Sequence, residues 1–217
     1  MLMHAAREQM VEQQMRAADV LDSRILDTLR SLPRELFVPQ SWRELAFADT
    51  EIALPCGKRM LRPMLVGRIL QSLELQGGEQ VLEIGTGSGY LSACLARLGG
   101  QLVSLELHAP IADFARANLR AVVPDLPIEV IRADAMELTE EARYDAIVLT
   151  ASLPIYQARF ERALRPGGRM FVVLGATTLQ EASLVRRIGA GGCNRESLFE
   201  TCIEPLEHAP RPAAFGF

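Results

Sequence analysis

The stretch Val81-Leu82-Glu83-Ile84-Gly85-Thr86-Gly87-Ser88-Gly89 decides the fold that we predict for this chain of 217 residues. It begins as a short apolar strand and ends in glycines, and a helical pattern follows at 91–98 until Gly99 and Gly100 stop it. A glycine-rich turn between a strand and a helix lets the backbone approach a ligand closely and exposes helix N-terminal amides. The stretch therefore predicts a ligand-binding loop at the end of the first strand of an α/β domain.

Strand and helix patterns alternate at short intervals after this loop. Apolar strand patterns lie at 102–106, 128–131, 145–149 and 170–174. Helical patterns at 111–122 and up to Leu164 separate them, which specifies a parallel sheet with helices on both faces. Residues 181–206 predict two further strands, separated by a turn at 189–192 and the second running from Leu198 to Leu206, that is, a hairpin at the sheet edge. The predicted fold class is a doubly wound, mostly parallel, seven-stranded α/β sheet.

Residues 1–75 predict a helical extension that precedes this sheet. Asp22 is placed to cap a helix that carries Ile25, Leu26 and Leu29, and Pro63 is placed in the first turn of a later helix. We expect one domain over 1–217, in which the extension at 1–75 is followed by a core at 76–217.

The spacing of the glycines bears on the identity of the ligand. Dinucleotide-binding folds use Gly-x-Gly-x-x-Gly, whereas this loop has Gly85-x-Gly87-x-Gly89 followed by Tyr90. The Lys-Ser or Lys-Thr pair of a phosphate-binding P-loop is also missing from it. A NAD-dependent oxidoreductase therefore stays an alternative that the spacing disfavours.

Two acidic residues at the ends of the next strands extend the candidate site. Glu106 ends a strand about 20 residues after the loop, where an acid accepts hydrogen bonds from both ribose hydroxyls; the alternative is a solvated glutamate. Asp134 follows the third strand and could meet an adenine amino group, although taken singly it is equally a turn residue. The predicted cofactor-binding residues are Glu83, Gly85, Thr86, Gly87, Ser88, Gly89, Glu106, Leu107, Asp134 and Ala135.

Composition excludes several other classes of protein. A net charge of −4 argues against a general nucleic-acid binder, and no apolar run reaches the ~20 residues of a membrane span. The N-terminus soon becomes polar, unlike a signal peptide, so we expect a cytoplasmic protein. The four cysteines and three histidines form no zinc-binding pattern, and we expect no metal and reduced thiols.

Several motifs resemble the class I methyltransferases, and more closely the protein-L-isoaspartate O-methyltransferase family. They are Leu26-x-x-Leu29-Arg30-x-x-Pro33-Arg34-Glu35-x-Phe37-Val38-Pro39, Ala48-Asp49-Thr50, Ala53-Leu54-Pro55, the loop from Val81 to Tyr90, Tyr144-Asp145-Ala146-Ile147-Val148-Leu149-Thr150-Ala151 and Leu164-x-Pro166-Gly167-Gly168-Arg169. The resemblance implies a Rossmann-like methyltransferase fold with S-adenosyl-L-methionine as cofactor and S-adenosyl-L-homocysteine as product. It implies that 76–217 bind the cofactor and that 1–75 lie on the substrate side. The substrate of the family is the carboxylate of isoaspartyl residues in damaged proteins.

The chain departs from this family on the substrate side. The family has Gly-Gln-Thr-Ile-Ser before a proline, whereas this chain has Gly57-Lys58-Arg59-Met60-Leu61-Arg62-Pro63. Arg59 thus stands where threonine is expected and Leu61 where serine is expected, so we assign no catalytic residue. The runs after Asp134 and Thr150 also differ from the family pattern.

Lys58, Arg59 and Arg62 bring three positive charges to this substrate loop. We predict that they bind an acidic substrate, either a protein or peptide or a small molecule; the alternative is a solvated loop. A carboxylate acceptor has a pKa near ~4 and needs no general base, which agrees with the lack of a recognisable catalytic pair. The leading interpretation is a carboxyl methyltransferase, and the alternative is a cofactor-binding homologue that has lost the repair activity. The oligomeric state is not predicted.

Overall fold

The N-terminal part of the chain is a helical segment that contains a small two-stranded sheet. The computed structural model describes residues 2–176, 179–189 and 192–212. Its first elements are α1 (Leu2–Gln9), a π-helix (Met10–Met15), α2 (Ser23–Ser31), 3-10 helices at Arg34–Leu36, Gln40–Leu45 and Pro55–Gly57, strands β1 (Ile52–Ala53) and β2 (Arg59–Met60), and α3 (Pro63–Leu73).

Two local predictions for this segment are confirmed. The Asp22 side chain accepts a hydrogen bond from the Arg24 amide at 2.8 Å and so caps α2. Pro63 is the first residue of α3, where its missing N–H costs no hydrogen bond. The antiparallel pairing of β1 with β2 fixes the backbone of the substrate loop, with Ile52 opposite Met60.

A seven-stranded sheet forms the centre of the molecule. Its strands are β3 (Gln80–Ile84), β4 (Gln101–Glu106), β5 (Ile128–Arg132), β6 (Tyr144–Leu153), β7 (Leu164–Leu174), β8 (Gln180–Ile188) and β9 (Gly192–Thr201). Their order in the sheet is β5-β4-β3-β6-β7-β8-β9. The first five are parallel, and β8 and β9 add an antiparallel hairpin at the edge. The predicted fold class is therefore confirmed.

The second strand of the hairpin was predicted wrongly at both ends. It begins at Gly192, directly after the turn, and ends at Thr201, whereas the apolar pattern placed it between Leu198 and Leu206. β9 is an edge strand whose side chains are largely exposed, so its polar first half still pairs with β8 without an apolar signal. Ala190 and Gly191 of the predicted turn lie outside the described residues.

Both faces of the sheet are covered. Val81, Val148 and Phe171 pack into a cluster that includes residues of α2, α3 and α4 (Tyr90–Arg97). Their strand neighbours, such as Leu82 and Ile147, pack on the opposite face in a cluster that includes residues of α6 (Ala158–Ala163). Successive strand residues thus alternate between two apolar layers. The shared cluster between the N-terminal segment and the sheet supports the proposal of one domain.

The strand order creates a crevice at one edge of the sheet. From β3 the chain proceeds outward to β4 and, through α5 (Ala109–Val122), to β5, and it then returns to place β6 on the other side of β3. Ligands of open α/β sheets bind at the carboxyl ends of the strands where the order reverses in this way. Of the helices in the described part of the chain, none is long and apolar enough to cross a membrane.

Candidate cofactor and substrate site

A cavity of about 110 Å³ lies at the carboxyl ends of β3, β4 and β6. Its lining includes six of the residues predicted to bind a cofactor, namely Gly85, Gly87, Glu106, Leu107, Asp134 and Ala135. We call it the larger cavity. The structure therefore brings together the glycine loop and the two strand-end acids that the sequence pattern singled out.

The Thr150 side chain supports the glycine loop through hydrogen bonds to its first residues. Gly85 has φ +92°, and a Cβ at this position would lie 2.2 Å from Thr150 Oγ1. The same hydroxyl contacts the carbonyl oxygens of Ile84 and Gly85 at 3.0 and 2.8 Å. Thr150 lines the cavity although it was not among the predicted site residues. Only glycine fits where the loop turns over this hydroxyl.

The Glu106 carboxylate lies at the wall of the larger cavity and is nearly buried. Its two oxygens accept hydrogen bonds at 3.1 Å, one from the Gly87 amide and one from the His108 amide. These bonds connect the glycine loop to the turn after β4. Because a carboxylate has about four acceptor sites, two remain for hydroxyl groups of a ligand.

Asp134 is both a turn residue and a residue of the cavity wall. One carboxylate oxygen accepts from the Met136 amide at 2.8 Å and caps the 3-10 helix Ala135–Glu137. The other lies 2.6 Å from His208 Nδ1, and this hydrogen bond raises the pKa of the His208 imidazole above its ordinary value. The two interpretations of Asp134 from the sequence are thus compatible.

Glu83 lies beneath the loop and lines a second, smaller cavity of about 40 Å³. Its side chain is fully buried and accepts hydrogen bonds from the hydroxyls of Ser92 and Ser104. Burial raises the pKa of the Glu83 carboxyl to about 8, against the opposing effect of the two hydroxyls. Thr86 and Ser88 also line the smaller cavity. Glu83 thus lies near the end of β3, beneath the loop, and does not line the larger cavity.

Gly89 lines neither cavity. It is the N-cap residue of α4, with φ +84°, and a Cβ there would meet Leu119 at 3.1 Å. Its place in the motif is explained by the turn into the helix and the close approach of α5.

The three cations of the substrate loop have partners within the chain. Lys58 forms an ion pair with Glu207, and Arg59 Nε lies 3.7 Å from a carboxylate oxygen of Glu204 and 3.8 Å from one of Glu51. Both basic residues line the larger cavity. Arg62 instead donates a hydrogen bond to Thr201 Oγ1 at 3.2 Å and lines neither cavity. The structure thus places Lys58 and Arg59 at the site and Arg62 beside it.

The segment after β9 forms one wall of the larger cavity and was missed by sequence reasoning. Residues 203–207 line it, and backbone hydrogen bonds join Ser152 to Glu204 and Leu206 at 2.9 and 2.8 Å. Glu207 also lies 3.0 Å from His108 Nε2. Hydrogen bonds from Lys58, the larger effect, and from His108 hold the pKa of the Glu207 carboxyl below its ordinary value. No local motif marks this segment, because its position depends on pairing with β6.

The described residues contain no group of three histidine, cysteine or acidic side chains arranged to hold a metal ion. Cys94 is buried, and burial raises the pKa of its thiol to about 12, so it is a poor nucleophile.

Known proteins resemble this chain along most of its length. The family model described as Protein-L-isoaspartate(D-aspartate) O-methyltransferase (PCMT) matches residues 5–208. The chain is 41% identical over 186 residues to the protein-L-isoaspartate O-methyltransferase of Methanoculleus marisnigri. This match covers 84% of each of the two chains. The chain is 35% identical over 212 residues to the protein of that name from Aeropyrum pernix, which covers 95% of this chain and 82% of the relative.

Solved structures share the fold. The crystal structure of a beta-aspartate methyltransferase (PCMT) from Plasmodium falciparum, in complex with S-adenosyl-L-homocysteine, has a TM-score of 0.80 at 18% identity, and the match covers 93% of this chain and 98% of the other. A structure named protein-L-isoaspartate O-methyltransferase has a TM-score of 0.79 at 23% identity. This match covers 92% of the present chain and 65% of the other. The resemblance drawn from the motifs is confirmed by the match of the family model and of these relatives: the chain belongs to the protein-L-isoaspartate (D-aspartate) O-methyltransferase family.

Proposed function

We propose that this protein is an S-adenosyl-L-methionine-dependent carboxyl methyltransferase that acts on isoaspartyl residues of proteins or peptides. The observation that carries the proposal is the larger cavity of a chain in this family, where Gly85, Gly87 and Glu106 meet at the carboxyl ends of β3 and β4. We do not propose a NAD-dependent oxidoreductase, because the chain belongs to a family of methyltransferases.

The residues present fit S-adenosyl-L-methionine. Glu106 has free acceptor capacity for the two ribose hydroxyls, and Asp134 and Ala135, which line the same cavity, would hold the adenine. Gly85 and Gly87 bring backbone without side chains to the cavity wall, so the backbone can approach the cofactor closely. When bound, the cofactor supplies an electrophilic methyl group.

The acceptor side requires positioning more than proton transfer. A carboxylate is already ionised at neutral pH, so the absence of hydroxyl side chains at Arg59 and Leu61 removes no general base. Arg59 lines the larger cavity with a side chain that is 55% exposed, and its contacts to Glu51 and Glu204 exceed 3.5 Å. We propose that Arg59 exchanges these loose contacts for the carboxylate of the acceptor, with Lys58 nearby and Arg62 supporting the loop.

Two measurements test the proposal. Calorimetry should show binding of S-adenosyl-L-homocysteine and none of NAD. Radiolabelled methyl groups should be transferred to an isoaspartyl peptide and not to the same peptide with ordinary aspartyl linkage. Cofactor binding without transfer to the isoaspartyl peptide would refute the proposed acceptor and would leave the homologue without repair activity as the better interpretation.

The role of Arg59 has its own test. Arg59→Gln should raise KM for the isoaspartyl peptide about tenfold and leave the affinity for S-adenosyl-L-homocysteine unchanged, since only an acceptor contact is removed. Arg120→Gln, on the exposed face of α5, is the matched control. Equal KM values in the two variants would show that Arg59 belongs to a solvated loop.

A further inference from the structure

The smaller cavity lies between the N-terminal segment and the glycine loop, and three of its lining side chains carry buried polar atoms without partners. They are Arg34, Glu83 and Tyr90. Among the described residues, no group accepts from Arg34 Nη1, and neither Glu83 Oε1 nor the Tyr90 hydroxyl has a hydrogen-bond partner. Buried polar groups are rarely left unpaired, so three around one cavity indicate that something polar binds there.

Arg34 is a fully buried cation that forms no ion pair with any of the described residues. Its Nε and Nη2 each donate at 2.8 Å to a backbone carbonyl, of Ala46 and of Leu61 respectively. Its guanidinium carbon lies 4.8 Å from the centre of the Tyr90 ring. No carboxylate of the described residues forms an ion pair with it. Burial lowers the pKa of Arg34, but arginine stays protonated in proteins, so a buried positive charge faces the cavity without an ion pair from the described residues.

The other walls of the cavity also favour an anion. Among the described residues that line the cavity, Glu83 alone is acidic, and burial raises the pKa of its carboxyl to about 8, so it is largely neutral at pH 7. Ser88, Tyr90 and Leu91 bring the beginning of α4 to the cavity, and the positive end of a helix dipole attracts negative charge. Arg59 also lines the smaller cavity, so the charges on the walls of this cavity are mainly positive.

Size restricts the ligand to a small group. A volume of about 40 Å³ holds roughly three water-sized groups, since one water needs about 10–15 Å³. A carboxylate has three heavy atoms. Arg59, Leu61, Gly85, Gly87 and Thr150 line both cavities, so a ligand of the larger cavity can extend such a group into the smaller one.

We infer that the smaller cavity is a carboxylate-binding site and that Arg34 is its cationic residue. The inference rests on the proposed function, which brings two carboxylates to this place: that of the amino-acid end of the cofactor and that of the acceptor. Because Arg34 Nη2 also holds the Leu61 carbonyl, the same guanidinium connects the bound carboxylate to the backbone of the substrate loop.

The experiment compares S-adenosyl-L-homocysteine with its decarboxylated analogue, in calorimetry on the full chain and on Arg34→Gln. If the cofactor supplies the carboxylate, the wild type prefers S-adenosyl-L-homocysteine at least tenfold, and Arg34→Gln loses this preference while its affinity for the analogue stays unchanged. If the acceptor supplies it, both affinities stay unchanged and KM for the isoaspartyl peptide rises at least tenfold.

Other outcomes overturn the inference. If Arg34→Gln changes neither the two affinities nor KM, the cavity holds water only. If Arg34→Gln weakens the binding of S-adenosyl-L-homocysteine and of the analogue equally, Arg34 has a structural role only. If Arg34→Gln does not fold, Arg34→Lys is the second variant. It keeps the charge but lacks the planar guanidinium that reaches two backbone carbonyls and a carboxylate at once. It should lose part of the preference or of the peptide affinity, and no change in either refutes the inference. Failure of the wild type to bind S-adenosyl-L-homocysteine at all would refute the proposed function instead.

Discussion

Thr150 Oγ1 lies 2.8 Å from the carbonyl oxygen of Gly85, directly below the loop that borders both cavities. A Cβ on Gly85 would collide with this hydroxyl at 2.2 Å, whereas the Thr150 Cβ would lie 3.6 Å away, an ordinary contact. The shape of the glycine loop therefore depends on a residue of β6 as well as on its own sequence.

We expect Gly85→Ala to destabilise the protein and to abolish binding of S-adenosyl-L-homocysteine. The left-handed φ alone costs about 1–2 kcal/mol, and the clash with Thr150 adds to it. Thr150→Ala should cost about 1 kcal/mol for its hydrogen bonds. In the double variant the clash is gone, so chemical denaturation should show a smaller loss than the sum of the single losses. Strict additivity would contradict the proposed clash.

Glu83→Gln tests the burial of the carboxyl group under the loop. The pKa of Glu83 is about 8 in the folded protein, against an ordinary value of 4.5. Between these values the folded state keeps the proton and the unfolded state loses it, so stability falls as pH rises from 4.5 to 8. The variant lacks this contribution. Its unfolding free energy relative to wild type should therefore improve by up to a few kcal/mol across that range.

Denaturation curves for both proteins at pH 5, 6, 7 and 8 measure this difference. The two hydroxyls of Ser92 and Ser104 can still donate to the amide oxygen of glutamine, so the fold should persist. A constant difference between wild type and variant over this range would show that the carboxyl is ionised in the folded protein.

Glu106→Gln should weaken the binding of S-adenosyl-L-homocysteine by about 10- to 100-fold, because hydrogen bonds to a charged acceptor contribute about 1.5–3 kcal/mol. The amide oxygen can still accept from one of the two backbone amides that Glu106 now holds. Calorimetry gives the affinity, and Glu129→Gln, on the exposed side of β5, is the control. An affinity equal to that of the control would remove Glu106 from the cofactor site.

Glu207→Gln should loosen the C-terminal wall of the larger cavity. The variant loses the ion pair with Lys58, whose side chain is 29% exposed, and the charge beside His108. A partly exposed ion pair contributes at most about 1 kcal/mol, so dissociation of S-adenosyl-L-homocysteine should accelerate no more than about fivefold. Stopped-flow measurements test this, with the exposed Glu196→Gln of β9 as control. Identical dissociation rates would show that this wall does not retain the cofactor.

Local patterns were enough to predict most of the fold. Most strands and helices from Val81 to Leu174 have a clear apolar pattern. Asp22 marks the start of α2 through its side-chain hydrogen bond, and Pro63 and Gly89 mark helix starts through their backbone preferences. The hairpin boundary failed because β9 lies at the sheet edge, where pairing with β8 needs no apolar side chains. Periodicity reports burial, and an edge strand buries little.

The sequence by itself determined the glycine loop, the strand-end acids Glu106 and Asp134, and hence the class of cofactor, because these features depend on short, contiguous motifs. Only the tertiary structure decided what surrounds them. It placed Thr150 below Gly85, joined Lys58 to Glu207, and brought Arg34 to the same cavity as Glu83 with one donor unpaired among the described residues. These contacts join residues that are far apart in the chain, and their energies depend on burial and on the distance between charges, which no spacing in the sequence contains.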